Sequence, residues 1–149
     1  MNFSNGSAVR PRSKTVAFDD TFRLSAHAVI TDAAGRVLLL KATYGDLAWG
    51  LPGGALEPGE TIHECVAREC REELGWAVSP RYLSGVYYHS AYHSQAFVFR
   101  CEAPAGAEPR LSAEHSAWRY FALDELGAVQ RRRVDDCLNY ASAAVSGRF

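Results

Sequence analysis

Residues 53–76, GGALEPGETIHECVARECREELGW, hold six glutamates: Glu57, Glu60, Glu64, Glu69, Glu72 and Glu73. The whole chain carries a formal net charge of only −1, so this acidity is local. Glu69, Glu72 and Glu73 stand at i, i+3 and i+4, positions that share one side of a helix. On a wheel turning about 100° per residue, Glu73 and Glu69 fall about 20° to either side of Ile62, and Glu72 about 80° away. That side also carries Cys65, Val66 and Cys70, the stripe that would face a core, whereas Glu64 and Arg71 fall opposite. Carboxylates one turn apart repel, and more strongly when partly buried. A divalent cation would cancel the repulsion. Magnesium suits such a set, because it takes carboxylate oxygens and keeps waters that a phosphate can displace; manganese accepts the same ligands. The competing reading is a helix whose glutamates pair with Arg68 and Arg71. Upstream, Gly53 and Gly54 allow backbone to come close to a ligand.

The elements that position these residues follow from pattern. The segments FRLSAHAVITD and RVLLLKAT are apolar and β-branched, and DAAG between them reads as the turn of a hairpin. YGDLAWGLPGGALEPGE is loop with a short strand at WGL. A helix runs from Thr61 to Leu74 and stops at Gly75. YLSGVYYHS and SQAFVFRCE are two further strands, and WRYFAL is a last short one. DELGAVQRRRVDDCLNYASAAV closes the chain as a helix, with Val134, Cys137, Leu138, Ala141 and Val145 at helical spacing. Arg131 to Arg133 are read as its solvated face, since Asp135 and Asp136 follow at once. Strands and helices mixed in this order give an α/β sheet covered by helices on both faces.

At 149 residues the chain has the length of one domain. Residues 1–20 read as a loose polar leader and 21–149 as a single folded domain. The near-neutral charge supplies no field for nucleic acid or an anionic membrane, and no apolar run approaches the roughly 18 residues of a membrane span. Cys65, Cys70, Cys101 and Cys137 form no C-x-x-C pair or zinc spacing, which fits buried thiols in a reducing cytoplasm. Exposed edge strands leave room for a homodimer that nothing specifies.

The acidic segment resembles the signature of the Nudix hydrolase family: glycine, five residues, glutamate, seven residues, arginine–glutamate, an apolar position, any residue, two glutamates, any residue, glycine and an apolar position. Here these are Gly54, Glu60, Arg68, Glu69, Cys70, Glu72, Glu73, Gly75 and Trp76. WGLPGG before the box and FALDEL near the last helix also resemble the family. The resemblance implies an α/β/α sandwich with a mixed β-sheet between helices. It also implies metal-dependent hydrolysis of a small nucleotide, a nucleoside diphosphate linked to another moiety. It assigns the cation to Glu69, Glu72 and Glu73, with Glu60 assisting, and gives Arg68 the task of orienting a box glutamate. Gly53 and Gly54 would lie beside the phosphates. Glu114 falls where relatives often carry a fourth catalytic acid. Tyr92 lies sixteen residues past Trp76, a spacing similar to that of a substrate-binding tyrosine in dinucleoside polyphosphate hydrolases of the family. Tyr87, Tyr88, His89 and His93 could stack on a base or alternate between core and surface. His27, His63 and His115 are given no ligand role. A nucleotide sensor on the same fold is the alternative function, but the box keeps all its acids, which favours the enzyme.

Overall fold

A computed structural model describes residues 18–149; the leader expected over residues 1–20 lies mostly outside the described residues. The strands are β1 (Arg23–Val29), β2 (Val37–Ala42), β3 (Trp49–Gly50), β4 (Gly53–Ala55), β5 (Ser79–His89), β6 (Ser94–Glu102), β7 (His115–Phe121) and β8 (Val145–Arg148), with helices α1 (Ile62–Leu74) and α2 (Ala128–Leu138). They form a five-stranded sheet, ordered β4-β1-β6-β5-β8, and a three-stranded sheet, β3-β2-β7. The larger sheet is mixed: β1 runs parallel to β6 and antiparallel to β4, while β5 is antiparallel to β6 and parallel to β8. Among the described residues no helix is long and apolar enough to cross a membrane.

Alternation along the strands divides the core between the helices. Ala26, Ala28 and Ile30 pack with Phe99 and with Cys65, Val66, Cys70 and Leu74 of α1. Val29 and Val98 pack instead with Val134 and Cys137 of α2. The expected sandwich is therefore what forms. Small residues meet on the α1 side, which lets that helix lie close over β1. All four cysteines are free and buried.

Two expectations about elements need correction. The DAAG turn forms, with Asp32 N–H donating to Arg36 O at 3.0 Å and Thr31 bridging Val37. Its arms then part, because β4 and β6 occupy both edges of β1 and β2 is left to pair with β3 and β7. The final helix is also shorter than its apolar spacing suggests. A 3₁₀ turn over Leu123–Glu125 precedes it, and Asn139 ends it with its N–H on Asp135 O. Ala141 and Val145 leave the helix, and Val145 begins β8 against β5. Strand β4 likewise went unseen in the glycine-rich loop, since GGA carries no β-propensity of its own.

Candidate active site

Helix α1 begins where the sequence places it. Thr61 caps it by accepting from Glu64 N–H at 3.1 Å, and Gly75 ends it in the left-handed region at φ 67°. This fixes which acids turn inward: Glu69 is 9% exposed and Glu73 only 3%. Glu72 points outward, with its side chain 58% exposed. Strand β4 brings the glycine pair onto these acids. Gly53 N–H donates to Glu73 Oε2 at 2.9 Å. Gly53 has φ 147°, and a Cβ there would strike the backbone of Ala26 and His27. At Gly54 a Cβ would fall 2.7 Å from Glu69 Oε1. Gly53 therefore admits glycine alone, whereas a side chain at Gly54 would push the Glu69 carboxylate aside.

Arg68 gathers most of the remaining acids. Its Nε donates to Glu60 Oε2 at 2.6 Å and its Nη2 to Glu60 Oε1 at 3.0 Å, a bidentate pair. Nη1 reaches Glu69 at 3.0 Å and Glu72 at 3.1 Å, and Nη2 also donates to Ala55 O at 3.0 Å. The arginine pairing weighed as the competing reading thus exists, but it stops short of Glu73. Arg68 pulls the Glu60 carboxyl down to about 2. Burial drives Glu73 the other way, up to about 8, with the Glu69 and Glu114 charges adding to it. Burial also raises Glu69.

Glu114 stands just before β7, its carbonyl accepting from Thr43 N–H at 2.9 Å. Ligand atoms of Glu73, Glu114 and His115 all lie within 4.8 Å of one another. His115 Nδ1 is buried with no hydrogen-bond partner among the described residues. Two carboxylates and an imidazole with a spare nitrogen, next to a second buried carboxylate in Glu69, form a donor set that fits a divalent cation. A cavity of about 960 Å³ has none of Glu69, Glu73, Glu114 and His115 in its lining. Glu60 and Tyr44 line it, and the Tyr44 pKa is raised by burial first and then by the charges of Glu73, Glu114 and Glu69. Tyr92, 67% exposed on the β5–β6 turn, lines the same cavity with His27 and His89.

The NUDIX domain family matches residues 21–138. The chain belongs to the Nudix hydrolase family. A MutT-like protein of Streptomyces ambofaciens is 38% identical over 126 residues, covering 82% of this chain and 80% of that protein. The NAD-capped RNA hydrolase NudC of Stutzerimonas stutzeri (strain A1501) is 30% identical over 113 residues, spanning 74% of this chain but 41% of the longer relative. The solved structure of a MutT NUDIX hydrolase from Burkholderia pseudomallei is 31% identical, with a TM-score of 0.64 over 78% of this chain and 98% of that one. This Nudix hydrolase is accordingly a Nudix-type pyrophosphohydrolase.

The structure brings Glu60, Arg68, Glu69, Glu73, Gly53 and Gly54 together, sets Glu114 beside Glu73, and leaves Glu72 at the rim. His115 was missed in the sequence. Its one signal was adjacency to Glu114, and only the pairing of β7 with β2 turns both toward α1. In the cation-free Nudix hydrolase Glu73 keeps its proton to about pH 8, whereas in the unfolded chain it loses it near 4.5. Between those values the folded state binds more protons. The stability this group contributes is therefore full below 4.5 and lost as pH rises through 8. The half-buried histidines His27, His89 and His115, whose pKa values are lowered, act in the opposite sense, and that effect is spent by about pH 7.5. Melting curves in chelator should show stability falling from about pH 7.5 as Glu73 loses its proton, with the four buried thiols, whose pKa values are raised, adding to the fall above about pH 8. Magnesium or manganese should restore the Glu73 part of it, by replacing the proton as the partner of the carboxylate.

Proposed function

We propose that this Nudix hydrolase cleaves the pyrophosphate bond of a nucleoside diphosphate joined to a second group. Water attacks one phosphorus, the bridging P–O bond breaks, and a nucleotide or phosphate half departs. The observation that carries this reading is the convergence of Glu73, Glu114 and His115 within 4.8 Å, with Glu60, held by the same Arg68 as Glu69, lining the cavity. Glu73 and Glu69 from α1, with Glu114 and His115 at the start of β7, would hold a divalent cation. When bound, that ion would neutralise phosphate oxygens and lower the pKa of a water. The protein's own groups do the rest. Arg68 holds Glu69 and Glu60 in place. Gly53 N–H fixes one oxygen of Glu73. Glu114, exposed beside Glu73, would take a proton from the attacking water through the carboxylate oxygen it does not give to the cation. Tyr92 and Tyr44 offer flat surfaces to a base or sugar at the mouth.

The test is a substrate panel of nucleoside triphosphates, ADP-ribose, dinucleoside polyphosphates and nucleotide sugars, run with magnesium, manganese or chelator and read by chromatography. Metal-dependent release of a nucleoside monophosphate from at least one class is expected. No turnover of any class with either metal would remove the reading.

A further inference from the structure

The five histidines of the chain differ in what their rings meet. His27 shares a hydrogen bond with Ser25 Oγ at 2.9 Å, and His93 shares one with the Tyr88 hydroxyl at 3.0 Å. His63 lies edge-on to Phe99, and His89 packs against Phe149. The side chain of His115 alone has no hydrogen bond, ion pair or ring contact among the described residues, and its Nδ1 is buried. The two acids beside it are unmatched by positive charge. Arg68 is spent on Glu60, Glu69 and Glu72, and neither Glu73 nor Glu114 forms an ion pair among the described residues. The segment that presents His115 is also held firmly. Thr43 N–H donates to Glu114 O and Thr43 Oγ1 to Ala113 O, both at 2.9 Å. The N–H groups of Glu114 and His115 both turn back onto Ser112, each at 3.3 Å.

An imidazole nitrogen and one oxygen from each of Glu73 and Glu114 lie within 4.8 Å of one another, yet no hydrogen bond or ion pair joins His115 to either acid among the described residues. Two metal–ligand bonds of roughly 2.0–2.4 Å span such a separation. An ion there would lie among the side chains, apart from the open cavity, whose lining includes none of the three. Exposed Glu114 leaves it a way in from solvent. The nitrogen decides which ion gains most. Magnesium takes oxygen ligands and gives up its waters reluctantly, so an imidazole adds little to its hold. Manganese and cobalt accept carboxylate oxygen and imidazole nitrogen together, cobalt the more tightly.

We propose that His115 is a nitrogen ligand to a cation shared with Glu73 and Glu114, and that it makes this centre select a divalent first-row transition ion over magnesium. This rests on the cation placement proposed for the hydrolase, but its test reads binding and needs no turnover. Calorimetric titration of the metal-free protein should show manganese binding about tenfold tighter than magnesium, and cobalt tighter still. Electron spin-echo modulation of the manganese-loaded wild type should show coupling to a ligand nitrogen, a readout that needs no variant to fold. His115→Gln, which offers an amide oxygen in place of the nitrogen, should abolish that coupling. It should weaken manganese and cobalt about tenfold and leave magnesium within about threefold. Glu114→Gln removes an oxygen ligand and should weaken all three ions. Absence of nitrogen coupling in the wild type, its persistence in His115→Gln, equal affinity for magnesium and manganese, equal weakening of both in His115→Gln, or no binding of any ion would each overturn the proposal. Metal-dependent turnover with equal metal affinities would remove this inference and keep the hydrolase reading. A silent substrate panel with the metal preference intact would remove only the hydrolase reading.

Discussion

Glu73→Gln is expected to lower turnover by about 10²–10⁴-fold while leaving the metal-free protein as stable as the wild type or more so. The two effects have one cause. Glu73 is 3% exposed and lies beside Glu69 and Glu114, so its charge is costly unless a cation shares the space. Glutamine matches its shape and can still accept from Gly53 N–H, so the β4 turn has no reason to move. What it cannot do is bind a cation as a carboxylate does. Above about pH 8 the wild type without metal must bury a charge that the variant lacks. Its melting temperature should therefore fall relative to Glu73→Gln as pH rises from about 6 to 8.5, and magnesium or manganese should close the gap for the wild type alone. The cysteines and histidines also titrate on unfolding, but equally in both proteins, so the difference isolates Glu73. Glu64→Gln, exposed on the far side of α1, is the control and should keep full activity. Turnover of Glu73→Gln within about tenfold of wild type would refute the placement of the cation.

The site was legible in sequence where function and helix share a period. Spacing along α1 put Glu69 and Glu73 on the core side and Glu64 on the wet side, and the cap residues Thr61 and Gly75 fixed the register. Glu72 is the instructive exception. It lies about 80° from the centre of the stripe, and Arg68, one turn earlier, offers it a partner at 3.1 Å on the exposed side. What spacing could not show was anything carried by strand pairing. His115 joins Glu73 because β7 pairs with β2, and Gly53 meets Glu73 because β4 pairs with β1 through His27. Both are contacts between distant residues with no local signature. The same holds at the C-terminus, where apolar spacing ran on through Ala141 and Val145 but the vacant edge of β5 captured the chain as β8. Arg133 was hidden by its own neighbours: a run of three arginines reads as surface, but Arg131 and Arg132 pair with Asp135 and Asp136 on the outer face while Arg133 is 7% exposed.

Arg68→Gln is expected to weaken cation binding by about 10–100-fold and to lower the melting temperature of the metal-free protein by several degrees. Arg68 is the single cation shared by Glu60, Glu69 and Glu72. Without it the Glu60 and Glu69 side chains, 10% and 11% exposed, face each other with nothing between them, and Glu69 loses the bond that aims its carboxylate past Gly54. The pH dependence gives the sharper test. In the wild type the Glu60 carboxyl is held down to about 2 from an ordinary 4.5. Its stabilising contribution is therefore present above 4.5 and disappears as pH falls through 2. The variant never has that contribution. The gap in melting temperature between the two proteins should be widest near neutral pH and narrow steadily below about pH 4.5. Saturating metal should narrow it at neutral pH as well, since a divalent ion can stand in for the missing positive charge. Arg68→Lys separates charge from geometry: it should recover part of the melting temperature but little of the cation affinity, because an ammonium cannot hold Glu60 bidentately while reaching Glu69. A gap that stays constant from neutral to acid pH would mean that Arg68 supports α1 through packing alone, and that the carboxylates around it are positioned by something else.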